Sequence, residues 1–314
     1  MTIAWVFPGQ GSQVVGMGRD LYAQIPAARE VFDEADAVLD VNIARLCFEG
    51  PEDDLTATEN TQPALLAVSV AILRGLNSLL PEGHKIVPQV VAGHSLGEYS
   101  ALVAAKALDL ATALRLVRRR GELMAEASEG TMAAVIGLNE QILEQVCHEV
   151  LEQRGEPVVI ANYNAPGQLV ISGAIEAVGH ACKLAKERGA KRAMPLKVRG
   201  AFHSPLMTRA SEGMAKVLAA ATIADMCVPL IANVTAAPLL HAEDVRRELV
   251  SQVVSPVQWI ASVQRMVSQG ISTFVEIGPG SVLTGLIKRI SSGVQVVNLR
   301  NIDDVHAFVA AGIC

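Results

Sequence analysis

Ser95 is the residue of this chain whose neighbours best equip it to act as a nucleophile. The run GHSLG at 93–97 has the spacing G-x-S-x-G, in which two glycines allow a sharp turn around an exposed serine. Chance alone gives about 0.1 such match in a chain of this composition, so the spacing is weak without its setting. An apolar run over 87–92 predicts a buried strand, and 96–106 predicts a helix. We therefore expect a strand–turn–helix elbow rather than an ordinary glycine-rich turn.

A serine of this kind needs a base, and two of the seven histidines compete for that role. His203 lies in the run GAFHSP at 200–205. This run directly follows a small module that we predict at residues 129–198, inserted into a larger domain. His306 follows Asp303 and Asp304, which gives the Ser…Asp…His chain order of lipase-like hydrolases. Spacing does not decide between the two. The junction favours His203, because substrate clefts form between domains.

Arg120 is the most informative charged residue. On a helix predicted from Asp109 to about Ala127, its neighbours three and four residues away are all apolar: Leu116, Val117, Leu123 and Met124. Arg118 and Arg119 have charged neighbours instead and are expected at the surface. A buried guanidinium is costly unless it meets an anion. That anion is either an internal carboxylate or the carboxylate of a substrate, bound bidentately.

The glycine-rich run GQGSQ at 9–13 follows the first predicted strand. It lacks the spacing of a phosphate-binding loop, and no G-K-[S/T] follows it. A loop at this end of a strand can supply a second backbone N–H to an oxyanion hole beside Ser95. A plain glycine turn explains the run equally well.

The elements around these residues predict an α/β fold. Apolar strands buried on both faces alternate with helices, which is typical of a parallel sheet; the strands are expected at 3–7, 87–92, 228–232 and 273–277. One buried helix is predicted over 64–73, with Thr61 as its N-cap and Pro63 near its first position.

The order of elements changes between residues 131 and 198, where it becomes β-α-β-β-α-β, as in ferredoxin-like modules. We therefore predict a large α/β-hydrolase-like domain with a parallel sheet, formed by residues 1–128 and 199–314. A small ferredoxin-like subdomain at 129–198 is inserted into it, and the substrate cleft is expected between the two.

Composition excludes several classes of protein. A 51% hydrophobic and 18% charged content favours a folded core, and the net charge of −6 argues against a nucleic-acid binder. The five cysteines form no C-x-x-C pair, so we expect buried thiols in a reducing compartment and no metal site. The apolar stretch 221–240 is interrupted by Pro229, Asn233 and Pro238, so we expect no membrane-spanning helix there, and we expect no leader before the first strand. A soluble, cytoplasmic protein is the expectation.

Six motifs together carry a resemblance that none of them carries alone. They occur in one order along the chain: FPGQGSQ at 7–13, TQPA at 61–64, GHSLGE at 93–98, RG at 120–121, AFHS at 201–204 and EIGPG at 276–280. In this combination the sequence, from about Ile3 to Arg289, resembles the bacterial malonyl-CoA:acyl carrier protein transacylases of the acyltransferase family. The resemblance implies transfer of malonyl from malonyl-CoA to the phosphopantetheine thiol of an acyl carrier protein for fatty-acid synthesis, by a ping-pong route with no cofactor of its own.

The resemblance also implies a role for each matching position. Ser95 and His203 would form the catalytic dyad, and the backbone N–H groups of Gln10 and Leu96 the oxyanion hole. Arg120 would bind the malonyl carboxylate. The main-chain carbonyl of Gln252 would orient the histidine. The residues around the substrate would be Gln62, Asn162 and Phe202. Because the family's histidine needs no acidic partner, the Asp303 and Asp304 that precede His306 no longer favour it as the base.

The expected partner is an acyl carrier protein, which is typically acidic. Basic residues crowd the stretch Lys183–Arg199, against Glu187 alone, and we expect this stretch to help dock the carrier, although a solvated helix face explains it about as well. A monomer is expected. Alternatives are a stand-alone malonyl loader of a polyketide synthase or malonate decarboxylase system, and a serine hydrolase or thioesterase that uses His306.

Overall fold

The computed structural model describes residues 2–127 and 129–312, which form ten strands in two sheets. The strands are β1 Ile3–Phe7, β2 Val90–Gly93, β3 Thr131–Ile136, β4 Val158–Ala165, β5 Gln168–Gly173, β6 Arg192–Pro195, β7 Leu230–Ile231, β8 Pro238–Leu239, β9 Thr273–Ile277 and β10 Gln295–Leu299. The first sheet has the order β10-β9-β1-β2-β7-β8 and is parallel except for the β7–β8 pair. The expected α/β fold with a parallel-rich sheet is confirmed.

The same residues form fourteen α-helices. They are α1 Arg19–Gln24, α2 Pro26–Leu39, α3 Ile43–Glu49, α4 Glu52–Thr56, α5 Thr58–Leu79, α6 Gly97–Ala104, α7 Leu110–Glu126, α8 Glu140–Arg154, α9 Ile175–Glu187, α10 Thr208–Ala220, α11 Ala242–Gln252, α12 Trp259–Ser268, α13 Val282–Ile290 and α14 Ile302–Ala310. Helix α7 begins where the sequence predicted, because the Asp109 side chain accepts a bond from the Thr112 N–H at 2.7 Å.

Strand β1 lies in the middle of the large sheet and is buried on both faces. Trp5 and Phe7 pack into the core formed with α2, α5 and α7, whereas Ala4 and Val6 pack on the opposite side with α12 and α13. This alternation follows from the two-residue period of a strand. Helices therefore cover both faces of the sheet, as continuous apolar strands require.

The second sheet is antiparallel, has the order β4-β5-β3-β6, and is built from the order β3-α8-β4-β5-α9-β6. Its Ala133 and Val135 face α8 and α9 in a separate small core, while Met132 on the other face joins the large core. Val257 lies beside Asn162 in a short parallel bridge that ties β4 to the segment before α12. One face of the small sheet is thus turned towards the large sheet. The domain boundaries at 128/129 and 198/199 stay a prediction.

The start of α5 differs from the prediction. Thr61 is not its N-cap, because the helix begins three residues earlier and Pro63 lies inside it. Proline removes the N–H that would bond to the Glu59 carbonyl. Arg118 replaces that donor, since its Nη1 donates to the Glu59 carbonyl at 3.3 Å. This helix is long and apolar enough to cross a bilayer, yet most of its apolar stretch is buried in the protein, as in a core helix.

Two other expectations need correction. The predicted strands at 87–92 and 228–232 are shorter in the structure, where they cover only β2 and β7. Not all thiols are buried: Cys47 and Cys147 are, Cys182 is half-buried, and Cys227 is exposed. Cys314 lies outside the described residues.

Candidate active site

Ser95 lies at the tip of a sharp turn between β2 and α6. Its φ is 51°, a left-handed backbone conformation that non-glycine residues rarely adopt. The flanking glycines make the turn possible by close packing. A Cβ on Gly93 would lie 1.9 Å from the carbonyl carbon of Gly97, and a Cβ on Gly97 would lie 2.1 Å from the Phe7 carbonyl oxygen. This is the nucleophile-elbow geometry that the spacing predicted.

His203 faces Ser95 across the turn. Its Nε2 lies 2.8 Å from Ser95 Oγ, and its Nδ1 lies 2.8 Å from the Gln252 carbonyl and 3.1 Å from the Ser255 carbonyl. Carbonyls only accept, so Nδ1 carries the proton and Nε2 is left free to accept from the serine hydroxyl. Two main-chain carbonyls therefore select the tautomer that a general base needs.

The surroundings of His203 keep it neutral. Burial, and next the positive charge of Arg120, lower the pKa of His203 to about 3, and the two carbonyl bonds oppose this shift only in part. The residue as a whole is 3% exposed. In the free protein the histidine can therefore accept a proton from Ser95 over the whole neutral pH range.

Arg120 projects from α7 into the same site and is 1% exposed. Its Nη1 donates to Gln62 Oε1 at 2.8 Å, and its Nη2 donates to Gln252 Oε1 at 2.8 Å and to Ser95 Oγ at 3.2 Å. These partners are neutral. Within the part of the chain that the structure describes, Arg120 has no direct ion-pair partner, and the buried Glu98 carboxyl is linked to it only through Gln252. A buried cation held only by neutral groups is suited to an anionic ligand.

Gln10 and Leu96 lie in the wall of the same cavity as Ser95, and each has a backbone N–H group. Gln10 lies in the loop after β1, and Leu96 is the residue before α6. Among the described hydrogen bonds neither N–H has a partner. Two free donors beside a serine are what an oxyanion hole requires, and that role stays a prediction for both residues.

A small cavity of about 110 Å³ joins these groups. Its lining residues come from segments next to the large sheet and from the small sheet. They include Gln10, Ser95, Leu96, Arg120, Asn162, Phe202 and His203. Gln62 and Gln252 lie behind Arg120 rather than in the cavity wall. The volume holds about four water molecules, which suits a short acyl group. A larger cavity of about 870 Å³, beside Trp5 and Arg74, includes none of the predicted site residues.

Among the described hydrogen bonds, Ser95 Oγ contacts no histidine other than His203. His306, the competing base, is exposed on α14. His94, next to the nucleophile, has its Nε2 2.7 Å from Asn164 Oδ1 on β4, and burial lowers the pKa of its ring. Its side chain thus links the elbow to the small sheet.

Two polar residues under the elbow, Glu98 and Asn233, were not predicted from the sequence. Asn233 Oδ1 accepts from the Ser95 N–H at 2.7 Å, and its N–H donates to Glu98 Oε1 at 2.9 Å. Burial, and next the charge of Glu248, raise the pKa of Glu98 well above its usual range. A signal existed for Glu98, because a carboxyl on the apolar helix α6 is as unusual as Arg120 on α7. Asn233 could be found only from the topology, which brings the end of β7 beside β2.

Together these groups can perform acyl transfer through serine. A hydroxyl, a neutral imidazole and two free N–H donors are the parts of a covalent acyl-enzyme mechanism. The buried guanidinium adds a preference for an acyl group that carries its own negative charge.

Comparisons with known proteins agree with this chemistry. Residues 4–304 match the model of the acyl transferase domain family. The malonyl CoA-acyl carrier protein transacylase of Bacillus subtilis is 48% identical over 298 residues, 94% of this chain and 92% of that protein. The crystal structure of the acyl-carrier-protein S-malonyltransferase of Bartonella henselae is 43% identical, covers 100% of both chains and superposes with a TM-score of 0.95. A malonyl-transacylase solved in complex with a type II polyketide synthase acyl carrier protein is 41% identical, covers 99% of this chain and 100% of that chain, and has a TM-score of 0.94.

Proposed function

The chain belongs to the acyl transferase domain family, and we propose that it transfers malonyl from malonyl-CoA to the phosphopantetheine thiol of an acyl carrier protein. The observation that carries the choice of malonyl is Arg120, a buried cation beside the nucleophile whose hydrogen-bond partners are neutral. The protein is an acyltransferase of fatty-acid synthesis and needs no cofactor of its own.

The first half-reaction loads the serine. The Ser95 hydroxyl proton moves to His203 Nε2 as Oγ attacks the thioester carbonyl, and the N–H groups of Gln10 and Leu96 stabilise the resulting oxyanion. The intermediate then collapses and breaks the C–S bond. His203 returns its proton to the departing CoA thiolate, which leaves a malonyl ester on Ser95.

The second half-reaction runs the same steps in reverse order. His203 takes the proton of the carrier's pantetheine thiol, and the thiolate attacks the malonyl-serine carbonyl. Collapse breaks the ester C–O bond, and Ser95 recovers its proton from His203. Because the two thiols use the site in turn, the kinetics are ping-pong.

Arg120 sets the substrate preference. The free carboxylate of malonyl takes the guanidinium as its bidentate partner, whereas an acetyl group leaves the cation buried without an anion. Phe202 and Asn162 line the same cavity, and the Phe202 ring crowds a methyl branch on the malonyl carbon.

The carrier docks on the small sheet's side of the site. In this proposal the small unit is a ferredoxin-like subdomain and the large one an α/β-hydrolase-like domain. The basic residues between Lys183 and Arg199 are all exposed, on α9, β6 and the segments next to them. Their charge complements an acidic partner and speeds encounter. The enzyme acts in the cytoplasm as a monomer.

A polyketide synthase carrier is the second candidate acceptor. It is favoured by the similarity to the malonyl-transacylase solved with such a carrier. Comparing kcat/KM for the two types of holo carrier with malonyl-CoA fixed distinguishes them, and we expect the fatty-acid carrier to give the higher value.

The substrate preference is tested by comparing malonyl-CoA with acetyl-CoA as donors to a holo carrier. We expect Arg120→Ala to reduce the malonyl/acetyl ratio of kcat/KM by about a hundredfold, because a charged hydrogen-bonded pair is lost. Arg119→Ala is the matched control: this neighbour on α7 pairs with Glu122 and Glu126 at the surface, and the ratio should stay at the wild-type value. A wild-type enzyme that prefers acetyl-CoA, or an Arg120→Ala variant that keeps the malonyl preference, would refute the proposal.

A further inference from the structure

Two amide side chains hold the peptide groups of Ser95 from below. Asn233 Oδ1 accepts from the Ser95 N–H at 2.7 Å, and Gln252 Nε2 donates to the Ser95 carbonyl at 3.0 Å. Gln252 Oε1 in turn accepts from Arg120 Nη2 at 2.8 Å. The strained backbone of the nucleophile and the position of the guanidinium thus depend on which end of each amide faces them.

Both amides meet at one buried carboxyl, Glu98, which is 0% exposed. Its Oε1 accepts from the Asn233 N–H at 2.9 Å and from Asn233 Nδ2 at 3.1 Å, and its Oε2 accepts from Gln252 Nε2. In every hydrogen bond that the structure gives to this side chain, Glu98 is the acceptor.

An amide has a donating and an accepting end of nearly the same shape, so its direction must be fixed by its neighbours. Both Glu98 oxygens accept here, as in an ionised carboxylate: burial raises the pKa of this group, but the bonds from Asn233 and Gln252 and the charge of Arg120 lower it. The two oxygens therefore hold the NH₂ end of each amide towards Glu98, together with the Gly93 carbonyl at Asn233 Nδ2 and the Ser95 carbonyl at Gln252 Nε2. The oxygen of Asn233 then faces the Ser95 N–H, and the oxygen of Gln252 faces Arg120. A reversed amide would set donor against donor at each of these contacts.

We propose that Glu98 is a positioning residue of the transfer reaction, which fixes the direction of the Asn233 and Gln252 amides and through them places Ser95 and Arg120. The reaction named here rests on the proposed function, but the hydrogen-bond arrangement does not. The role needs an acceptor at position 98, and a side chain of the same shape that also donates cannot supply it.

The matched pair of variants is Glu98→Gln and Glu248→Gln. Both remove one buried carboxyl without changing its shape, but Glu248 accepts from the backbone N–H groups of Val234, at 2.8 Å, and of Asn233, and it bonds to neither amide side chain among the described residues. The readout is the rate at which malonyl-CoA and acetyl-CoA acylate the protein, followed by intact mass without carrier. We expect Glu98→Gln to lower the malonyl rate and to reduce the malonyl/acetyl ratio about tenfold or more. Glu248→Gln should keep that ratio within about twofold.

Glu98→Asp separates polarity from shape. It keeps an acceptor-only group but is one methylene shorter, so it should retain more of the malonyl/acetyl ratio than Glu98→Gln. This variant also carries the test if Glu98→Gln does not fold. A folded Glu98→Gln enzyme with the wild-type ratio, or an Asp variant below the Gln variant, overturns the proposal. A wild-type protein that is not malonylated at all would instead overturn the proposed function, so the two failures are distinct.

Discussion

At the scale of single residues, local sequence patterns indicated three residues of the candidate site. Ser95 lies between two glycines, Arg120 lies on an apolar helix face, and His203 follows the small module, so each departs from what its surroundings favour. The partners of Arg120 could not be found in this way without a family resemblance. Gln62 and Gln252 lie 58 and 132 residues from it in the chain, and only the folded structure brings them to the guanidinium.

The low pKa of His203 predicts a specific loss of stability in acid. In the native state the ring stays neutral down to about pH 3, whereas in the unfolded chain it titrates near its ordinary value of about 6.5. Below about pH 6.5 the unfolded state therefore binds a proton that the native state does not, and stability falls as the pH decreases towards 3. Between about pH 7 and pH 5 this amounts to about 2 kcal/mol.

Urea denaturation at those two pH values measures the effect. The control is His203→Asn, a neutral side chain that cannot titrate. Wild-type protein should lose more free energy of unfolding between the two pH values than the variant does, while the contribution of buried His94 is common to both. Equal losses would show that His203 titrates normally.

At the scale of elements, types were easier to predict than ends. The short apolar runs at 3–7 and 273–277 predicted β1 and β9 with correct bounds, and Asp109 marked the start of α7. The start of α5 was missed because Arg118, from a different helix, replaces the donor that Pro63 lacks. Such compensation depends on tertiary contacts, which a local pattern does not contain.

The elbow between β2 and α6 should tolerate no side chain at its second glycine. Gly97→Ala would place its Cβ against the Phe7 carbonyl, so we expect a loss of more than about 3 kcal/mol of stability and no acylation of Ser95. Gly179→Ala is the control, because a Cβ there has no neighbour within 4 Å and the residue lies inside α9. That variant should be more stable by about 0.5–1 kcal/mol. Both variants are measured by thermal unfolding and by an acylation assay. A Gly97→Ala variant that is as stable and as active as the wild type would contradict the prediction.

The proposed docking of the carrier can be tested by charge reversal on helix α9. Arg188 is less suitable for charge reversal, since it pairs with Glu149 at 2.8 Å. Lys183 and Lys186 are exposed on the same helix and have no ion-pair partner among the described residues. The double variant Lys183→Glu, Lys186→Glu should raise the KM for the carrier and leave acylation by malonyl-CoA unchanged, because only the second half-reaction uses the carrier. An unchanged KM would place docking elsewhere.

At the scale of the whole molecule, the sequence predicted an α/β fold and the presence of a second, differently ordered sheet. It could not give the strand order β10-β9-β1-β2-β7-β8, in which the first strand lies in the middle, nor the edge strand β8. Strand order is set by crossovers between distant segments, which leave no local trace. That order brings the ends of β1, β2 and β7 together, and with them Gln10, Ser95 and Asn233.

The malonyl-enzyme itself is the most direct test of the proposed function. The protein is mixed with malonyl-CoA without carrier, its intact mass is measured, and the modified peptide is sequenced. We expect one malonyl adduct, located on Ser95 and absent from Ser95→Ala, which a holo acyl carrier protein discharges far faster than water does. An adduct on another residue, no adduct, or discharge by water as fast as by carrier would contradict a malonyl transferase that works through Ser95.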